Sequence, residues 1–291
     1  MKYVYKDITI LTVTHNSENV IDCFLNNINK KFKLIVVDNN SRDSTKLILK
    51  KDNRPYKTLF FNKIGLGFGS GANVGLRHIE TKYVLLVNPD TILNDTQIKK
   101  LYKAAKKYSN ATILSPMHVN EKGVEHIPSR SFFFIKDKNT SLNTDNFCGD
   151  CSVEHLSGAI MLINKTNLDK IGFFDESFFL YYEDDDLCIR SKNAGFENVL
   201  VHDVVISHAG GGSVGPDNFK NQWEKNFHLN YSRCYIEKKY FGVLNSKLMA
   251  IKIFFKFLFK MLGHLMILRL SKITKDIASL SGAISFLIGI H

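Results

Sequence analysis

The sequence ITILTVTHNSENVIDCFLNNINKKFKLIVVDNNSRD, residues 8–43, decides the fold. Ile8–Thr14 is a β-branched run typical of a buried strand, and Leu34–Val37 is a second apolar strand. Between them, apolar residues recur at the spacing of one helix face: Val20, Ile21, Phe24, Leu25 and Ile28. Ser17 is predicted to cap this helix. The stretch is therefore a βαβ unit, and ligands of such units bind beyond the carboxyl ends of the strands.

Polar residues and glycines follow the strands at that ligand-binding edge. Asp38 comes directly after the second strand, at the position where such a unit would bind a nucleotide. A third strand, Lys57–Phe61, leads into the glycine segment Asn62–Gly75, whose glycines permit close approach of the backbone. A helix predicted to begin near Gly71–Asn73 would offer free N–H groups to an anion. No GK[ST] follows, so this is not a Walker loop, and a segment that serves only as a turn stays an alternative.

A fourth apolar strand, Tyr83–Val87, ends in Asn88-Pro89-Asp90. Asp90 follows a buried strand at the same edge as Asp38, so it is placed to hold a divalent metal or a sugar hydroxyl. An Asx turn that only ends the strand explains the tripeptide equally well.

The pattern between residues 117 and 171 is less regular. Met117–Asp150 is predicted to be a variable loop region, and long loops of this kind often bind ligands. His155–Asn164 then reads as a strand. Its small step Ser157-Gly158-Ala159 would let a substrate approach the backbone. Thr166 is predicted to cap a short helix that runs through Ile171.

The segment Gly172–Arg190, GFFDESFFLYYEDDDLCIR, carries four consecutive carboxylates into a predicted helix, Glu183–Ala194, with Gly195 as its C-cap. The four are Glu183, Asp184, Asp185 and Asp186. One interpretation is a helix start whose acids complement the macrodipole. The other is a general base in an aromatic-walled cleft, where like charges and desolvation raise its pKa.

Asn198–Ser207 is predicted to form one or two strands that end at His208, beside a glycine run. A histidine there is as compatible with a structural role as with metal binding. Of the five cysteines, Cys148 and Cys151 form one CxxC, without the second ligand pair of a zinc site. Free thiols or a loop disulfide are expected, with zinc as the minor alternative. The odd count favours a reducing, cytosolic compartment.

The C-terminal part is basic and aromatic. The chain has 39 Lys plus Arg against 28 Asp plus Glu, a net charge of +11, which suits a nucleotide, nucleic acid or membrane partner. Within 240–269, Lys252, Lys256 and Lys260 line one helix face while apolar residues cover the rest, as in a helix at a membrane interface. A helix packed on the core or on another subunit is the alternative. Ile277–Ile290 is short and interrupted, so peripheral attachment is expected.

The chain resembles glycosyltransferase family 2, the inverting enzymes of GT-A fold, and most of all its bacterial rhamnosyltransferase-like branch. The motifs that carry the resemblance, together and in this order, are VVDNNSRD, the glycine segment, LVNPD, LSGA and FDESFFLYYEDDDLCIR. The resemblance covers about residues 7–215. It implies an α/β fold over residues 1–215, a Rossmann-like, mostly parallel mixed sheet flanked by helices, with a nucleotide-sugar half (about 1–115) and an acceptor half (about 116–215). Residues 216–291 would be an amphipathic helical appendage that associates with membranes.

The family pattern implies roles for individual residues. Asp38 would bind the donor's pyrimidine base, and Asp184 would be the general base. Asp90 would bridge Mg²⁺ or Mn²⁺ to the donor diphosphate, with His208 completing the metal site. The donor would contact residues at the strand ends and in the glycine segment: Thr14, Asn16, Asp38, Asn40, Asn62, Gly65, Asn73, Asn88 and Asp90. The acceptor side would comprise Gly158, Glu183 and Asp184. Asn88 stands where the family's DxD-like triplet begins, which leaves fewer charged ligands for the metal.

The resemblance also implies an activity. The expected reaction transfers a sugar, first L-rhamnose from dTDP-rhamnose and otherwise a UDP-hexose, to a saccharide or lipid-linked acceptor in bacterial surface polysaccharide synthesis. Processive members carry QxxRW, whereas the one tryptophan here, Trp223, stands in NQWEKN, so transfer of one or a few sugars is expected. The N-terminus has no secretory-signal pattern. We therefore expect a cytoplasmic enzyme on the inner face of the cell membrane, with a homo-oligomer left open.

Two other classes of function fit parts of the sequence. A sugar-phosphate nucleotidyltransferase shares the α/β layout but needs a basic GxG…K loop after the first strand, where this chain has His15-Asn16-Ser17. A nucleic-acid-binding module would interleave exposed aromatic and basic residues, whereas the lysines here cluster on helices and in the tail. Sugar transfer is the better supported of the three.

Overall fold

The structure is a computed structural model that describes residues 2–119, 125–126, 149–208 and 219–290. Its contacts divide the chain into two compact units. The sheet unit comprises Met1–Asp175 and Asp184–Ser213, and the helical unit comprises Glu176–Glu183 and Val214–His291. The chain therefore leaves the sheet unit for eight residues, 176–183, and returns to it at Asp184.

The described part of the sheet unit contains one mixed sheet. Its strands are β1 (Ile8–Thr14), β2 (Lys33–Asp38), β3 (Lys57–Phe61), β4 (Tyr83–Val87), β5 (Thr91–Ile92), β6 (Ala111–Val119), β7 (Glu125–His126), β8 (Cys151–Ser152), β9 (Ile160–Asn164) and β10 (Glu197–His208). The order is β3-β2-β1-β4-β9-β6-β10-β5, with β7 beside β6 and β8 beside β10. β1 to β4 pair in parallel, β6 pairs with β10 in parallel, and β9 is antiparallel to both neighbours. The long strands other than β9 consequently end at one edge.

The helices connect these strands and then form the C-terminal part. They are α1 (Lys2–Asp7), α2 (Ile21–Asn27), α3 (Thr45–Lys51), α4 (Phe68–Leu76), α5 (Asp95–Lys107), α6 (Lys165–Ile171), α7 (Glu183–Asn193), α8 (Phe219–Met266) and α9 (Leu270–Ile288). Every residue of β1, β4 and β9 is buried, as expected of central strands covered on both faces. A Cβ on Gly75 would lie 2.3 Å from Leu11 Cδ1, so this glycine lets α4 pack directly on β1.

Two predicted helix caps are wrong, because both helices have another residue at the N-cap. α2 begins at Ile21 with Val20 as N-cap and no side-chain cap. The Ser17 hydroxyl instead accepts a hydrogen bond from the His15 N–H at 3.2 Å. At α6 the cap is Asn164, whose side chain accepts from the Thr166 N–H at 3.2 Å.

Two predicted boundaries also differ from the structure. α4 begins at Phe68, three residues before the predicted start, after Gly67 with a φ of 84°. β9 begins only at Ile160, because Gly158 donates its N–H to a side chain of α7 and Ala159 bonds to Ser157. Most of the predicted loop region 117–150 lies outside the described residues, as do Cys148 and the glycine run after His208.

The helical unit is built around α8 and α9. α8 changes direction at Gly242, where φ is 86° and ψ is 173°. A small core between the two helices contains Cys234, Ala250, Ile253 and Ala283. A Cβ on Gly282 would lie 2.4 Å from the Phe227 carbonyl oxygen, so glycine is needed at this close crossing. Part of the apolar surface predicted for the tail thus packs within the chain, and none of the described helices is long and apolar enough to cross a membrane.

Candidate active site

Asp38 lies at the end of β2, at the edge where the parallel strands finish. Its side chain is completely buried. Oδ2 accepts a hydrogen bond from Thr14 Oγ1 at 3.2 Å, and Oδ1 accepts from the Ser41 N–H at 3.1 Å. Lys46 Nζ lies 3.6 Å from Oδ1 and supplies a positive charge. Asp38 therefore joins the ends of β1 and β2, and brings together two of the residues predicted to contact a donor, itself and Thr14.

Asn39, which the sequence reasoning missed, fixes the glycine segment to the same edge. Its Nδ2 donates to the Gly67 carbonyl at 2.8 Å, and its Oδ1 accepts from the Leu66 N–H at 2.9 Å and from Asn62 Nδ2 at 3.2 Å. Gly65 passes close by, since a Cβ there would lie 4.0 Å from the Asn39 carbonyl oxygen. Two predicted donor residues, Asn62 and Gly65, thus meet the end of β2. The only signal in the sequence was an amide next to Asp38.

The loops after β1 and β2 hold one another through a second network. His15 Nδ1 lies 2.8 Å from the Asn39 carbonyl oxygen, which makes Nδ1 the donating nitrogen. The Asn16 N–H donates to Ser41 Oγ at 2.8 Å. Asn16 and Asn40 have φ values of 50° and 64°, a left-handed conformation that asparagine tolerates better than most residues. Asn16 and Asn40, both predicted to contact the sugar donor, therefore shape the loops after β1 and β2 through their backbone conformation.

Asn88-Pro89-Asp90 follows β4 and connects to two other parts of the edge. The Asn88 N–H donates to the Ala159 carbonyl at 2.9 Å, which ties the tripeptide to the Gly158-Ala159 step. Asp90 is 8% exposed. In the antiparallel pairing of β5 with β10, His208 is the register partner of Thr91, the residue after Asp90. The backbone thus brings the two predicted metal ligands to the same strand pair.

The four consecutive carboxylates have different surroundings. Asp185 is 1% exposed and its Oδ1 lies 3.3 Å from His155 Nδ1. Asp186 is completely buried and accepts from Arg190 Nε at 2.8 Å, the helical pairing that the spacing predicted. Glu183 is also buried. Asp184 is the one carboxylate of the four that reaches solvent, so it is the one that a substrate can meet.

The carboxylate of Asp184 is held by two backbone groups. Oδ2 accepts from the Gly158 N–H at 3.0 Å, and Oδ1 accepts from the Asp185 N–H at 3.0 Å. A Cβ on Gly158 would lie 3.5 Å from Asp184 Oδ2 and 3.7 Å from Phe68 Cε1. The Gly158 step therefore connects Asp184 to the start of α4, where the glycine segment ends.

Two side-chain clamps fix the chain that leads toward Asp184. Arg190 donates to the carbonyls of Ile171, Gly172 and Phe173 at 2.6, 2.9 and 2.7 Å. Asn73 is 2% exposed and makes two hydrogen bonds with the backbone of Phe174. Its Oδ1 accepts from the Phe174 N–H at 3.0 Å, and its Nδ2 donates to the Phe174 carbonyl at 2.9 Å. Asn73, a predicted donor residue, thus holds the backbone of this segment.

Two of the aromatic residues before α7 pack on α8. Phe178 stacks edge-on against Tyr235, with ring centroids 4.8 Å apart, and Phe179 is stacked on His228 at 4.4 Å. Both partners belong to α8 in the helical unit. Burial and the Glu183 charge raise the pKa of Tyr181 to about 12, so this phenol stays protonated.

Two thiols of the sheet unit, Cys188 and Cys151, are unsuited to nucleophilic attack. Burial raises the pKa of Cys188, which follows the acidic run, well above its ordinary value. Burial and Asp150 raise the pKa of the Cys151 thiol to about 11. Thiolates, the reactive forms, are therefore scarce at neutral pH. The described residues contain no ready-made cluster of three or more His, Cys, Asp or Glu side chains for a metal.

The sequence is similar to known glycosyltransferases. The model of Glycosyl transferase family 2 matches residues 9–172. The rhamnosyltransferase WbbL of Escherichia coli K12 is 30% identical over 223 residues, which cover 69% of this chain and 81% of that protein. The N-acetylglucosaminyl-diphospho-decaprenol L-rhamnosyltransferase of Mycobacterium tuberculosis is 23% identical over 239 residues, 72% of this chain and 78% of that one.

The fold has solved relatives as well. The mannosyltransferase PcManGT from Pyrobaculum calidifontis, determined with GDP-Man and Mn²⁺, aligns with a TM-score of 0.56 at 13% identity. The alignment covers 98% of this chain and 88% of that one, and it confirms the predicted GT-A type of fold. The family model spans more than half of the 291 residues. This chain therefore belongs to glycosyltransferase family 2 and is a glycosyltransferase.

Proposed function

We propose that this glycosyltransferase acts with inversion and transfers L-rhamnose from dTDP-rhamnose, or otherwise a hexose from a UDP-hexose, to a saccharide or lipid-linked acceptor in bacterial surface polysaccharide synthesis. The observation that carries the proposal is the difference in burial among the four consecutive carboxylates. Glu183, Asp185 and Asp186 are buried, whereas Asp184 reaches solvent and accepts a hydrogen bond from the Gly158 N–H. The names of the two relatives favour rhamnose, and the mycobacterial one also favours a lipid-diphosphate acceptor.

The reaction is a single displacement. Asp184 takes the proton of the acceptor hydroxyl while that oxygen attacks the anomeric carbon. The bond from this carbon to the diphosphate oxygen breaks on the opposite face, and the nucleoside diphosphate leaves with the electron pair. Inversion follows because attack and departure occur on opposite faces. No enzyme nucleophile takes part, in agreement with the raised thiol pKa of Cys188.

The donor side is proposed to be the edge formed by Asp38, the Asn39 network and Asn88-Pro89-Asp90. Asp90 and His208 would hold Mg²⁺ or Mn²⁺, which, when bound, stabilises the negative charge of the leaving diphosphate. Few protein ligands suffice, because a hard divalent ion is commonly bound by one or two carboxylates and the substrate phosphates. The buried carboxylate of Asp90 is consistent with such a set of metal ligands, and the His208 backbone pairs with Thr91, the residue after Asp90.

Replacing Asp90 by alanine is expected to weaken donor binding about tenfold or more in the presence of Mn²⁺, because one carboxylate ligand is lost. Without metal, the variant and the wild type are expected to bind equally. Calorimetric titration with dTDP-rhamnose and UDP-glucose, with and without Mn²⁺, measures both. Asp22→Ala, an exposed carboxylate of α2, is the control. Identical isotherms for Asp90→Ala and the control with Mn²⁺ would remove Asp90 from the metal site.

The helical unit is proposed to attach the enzyme to a membrane surface. One face of α8 exposes apolar side chains at spacings of three and four residues: Leu244, Leu248, Ile251, Phe255, Phe259, Leu262 and Met266. Lys252, Lys256 and Lys260 each follow one stripe residue, about 100° further around the helix, so they flank the stripe. Apolar groups and flanking lysines fit acyl chains and anionic head groups, respectively.

Phe255 and Phe259 are 50% and 68% exposed. A variant with serine at both positions is expected to bind vesicles at least about tenfold more weakly, because two large aromatic rings are no longer transferred from water into the membrane. Sedimentation with vesicles of phosphatidylcholine and phosphatidylglycerol measures this, and phosphatidylcholine alone should bind both proteins poorly. Leu47→Ser, at an exposed position of α3, serves as the matched control. Equal sedimentation of all three proteins would contradict membrane attachment through α8.

A further inference from the structure

The segment Glu176–Glu183, here called the strap, lies between two parts of the sheet unit but belongs to the helical unit. The next residue in the chain is Asp184. On the other side, the backbone before the strap is fixed inside the sheet unit by Arg190 and Asn73. A displacement of the strap would therefore act on the backbone directly before Asp184.

One face of α8 holds the strap at three consecutive residues. The rings of Phe178 and Tyr235 meet edge-on at 4.8 Å, and Phe178 is completely buried. The Phe179 and His228 rings are stacked at 4.4 Å. Ser232, which is 1% exposed, donates from Oγ to the Leu180 carbonyl at 2.9 Å. The three α8 partners are spaced by four and three residues, so they lie on one side of the helix.

The end of the strap is strained. Tyr181 and Tyr182 have φ values of 67° and 69°, and two successive residues with a Cβ in the left-handed region are rare. Such a conformation persists only where surrounding contacts over-determine it. The bonds of Leu180 to Ser232 and of the two preceding rings to α8 supply those contacts. If they are lost, we expect the tyrosines to relax and the first turn of α7 to shift.

We propose that Ser232, Tyr235 and His228 of α8 are positioning residues for the general base, acting through the strap. The proposal rests on the role of Asp184 proposed above, and it goes beyond membrane attachment because it gives the helical unit a part in turnover. A shift of about 1 Å in a catalytic group can cost a hundredfold in rate. The contacts of α8 with the strap would thus be needed for turnover and not for donor binding.

The test compares Ser232→Ala combined with Tyr235→Leu against Ser246→Ala. Ser246 is a matched control, because it is also a buried serine of α8 that donates to a backbone carbonyl, that of Val243, away from the strap. The strap variant is expected to lower kcat roughly tenfold to a hundredfold and to leave the donor KM within about twofold. Its kcat–pH profile is expected to change shape, because the base sits in a different environment.

Hydrogen exchange provides a readout that does not require sugar transfer. Amides of residues 181–186 are expected to exchange at least about tenfold faster in the strap variant than in Ser246→Ala, at equal thermal unfolding temperature. Unchanged exchange and an unchanged kcat would overturn the proposal, as would a donor KM that rises in parallel with the loss of kcat. If the wild type transferred no sugar, the proposed function would fail, and the exchange experiment would still test the link from α8 to α7.

Discussion

Asp184→Asn is expected to lower kcat by about 10²–10⁴-fold, the usual contribution of a general base. The amide cannot take the acceptor proton; its oxygen can still accept from the Gly158 N–H, whereas the bond from the Asp185 N–H to the other carboxylate oxygen is lost. Donor affinity is expected to stay unchanged, because Asp184 is assigned to the acceptor side. Steady-state rates and calorimetric titration of the donor measure the two quantities separately.

A matched control makes this result specific. Asp169→Asn removes an exposed carboxylate of α6 that pairs with Lys165, and its kcat should equal that of the wild type. If Asp184→Asn also kept normal turnover, Asp184 would be removed from the mechanism. A loss of donor binding of the same size as the loss of rate would point to a structural role for the carboxylate.

Arg190→Leu is expected to destabilise the sheet unit by about 3–5 kcal/mol, because the buried Asp186 carboxylate would lose its ion pair with Arg190. The Asp186 side chain is completely buried, and Arg190 also satisfies three backbone carbonyls. Urea unfolding followed by fluorescence measures the change. Arg190→Lys should recover only part of it, since an ammonium cannot reproduce the planar fork of the guanidinium.

The control for this prediction lies two residues further along α7. Lys192 pairs with Glu197 at 2.6 Å, but both side chains are about one-third or more exposed (33% and 42%). Lys192→Leu should therefore change the free energy of unfolding by no more than about 1 kcal/mol. Similar losses for Arg190→Leu and Lys192→Leu would show that the clamp at Asp186 contributes no more than a surface ion pair.

The strands and the order of the motifs could be predicted because they depend on local pattern. Ile8–Thr14, Lys57–Phe61 and Tyr83–Val87 have the predicted bounds, since each is an apolar or β-branched run that ends in polar residues. The start of α7 at Glu183 was also predicted, and Gly195 follows it with a φ of 79°. Family membership sets aside the nucleotidyltransferase and the nucleic-acid-binding module as alternatives.

What could not be predicted depends on partners distant in sequence. Asn39 organises the glycine segment through Leu66 and Gly67, which are 27 and 28 residues away. The carboxylates look alike in sequence, and they are distinguished by contacts with Gly158, His155 and Arg190. Within the aromatic run, Phe178 and Phe179 pack on α8, which lies after residue 218, and local pattern could not predict these contacts.

The anomeric configuration of the product tests the central claim most directly. The wild type would be incubated with dTDP-rhamnose or a UDP-hexose, Mn²⁺ and an N-acetylglucosaminyl diphospholipid, and the glycosidic linkage would be read by NMR. A single displacement with Asp184 as base predicts the configuration opposite to that of the donor, and product formation about 10²–10⁴-fold slower with Asp184→Asn. A product that retains the donor's configuration would contradict this mechanism, because retention requires a second displacement or attack on the face that the diphosphate leaves.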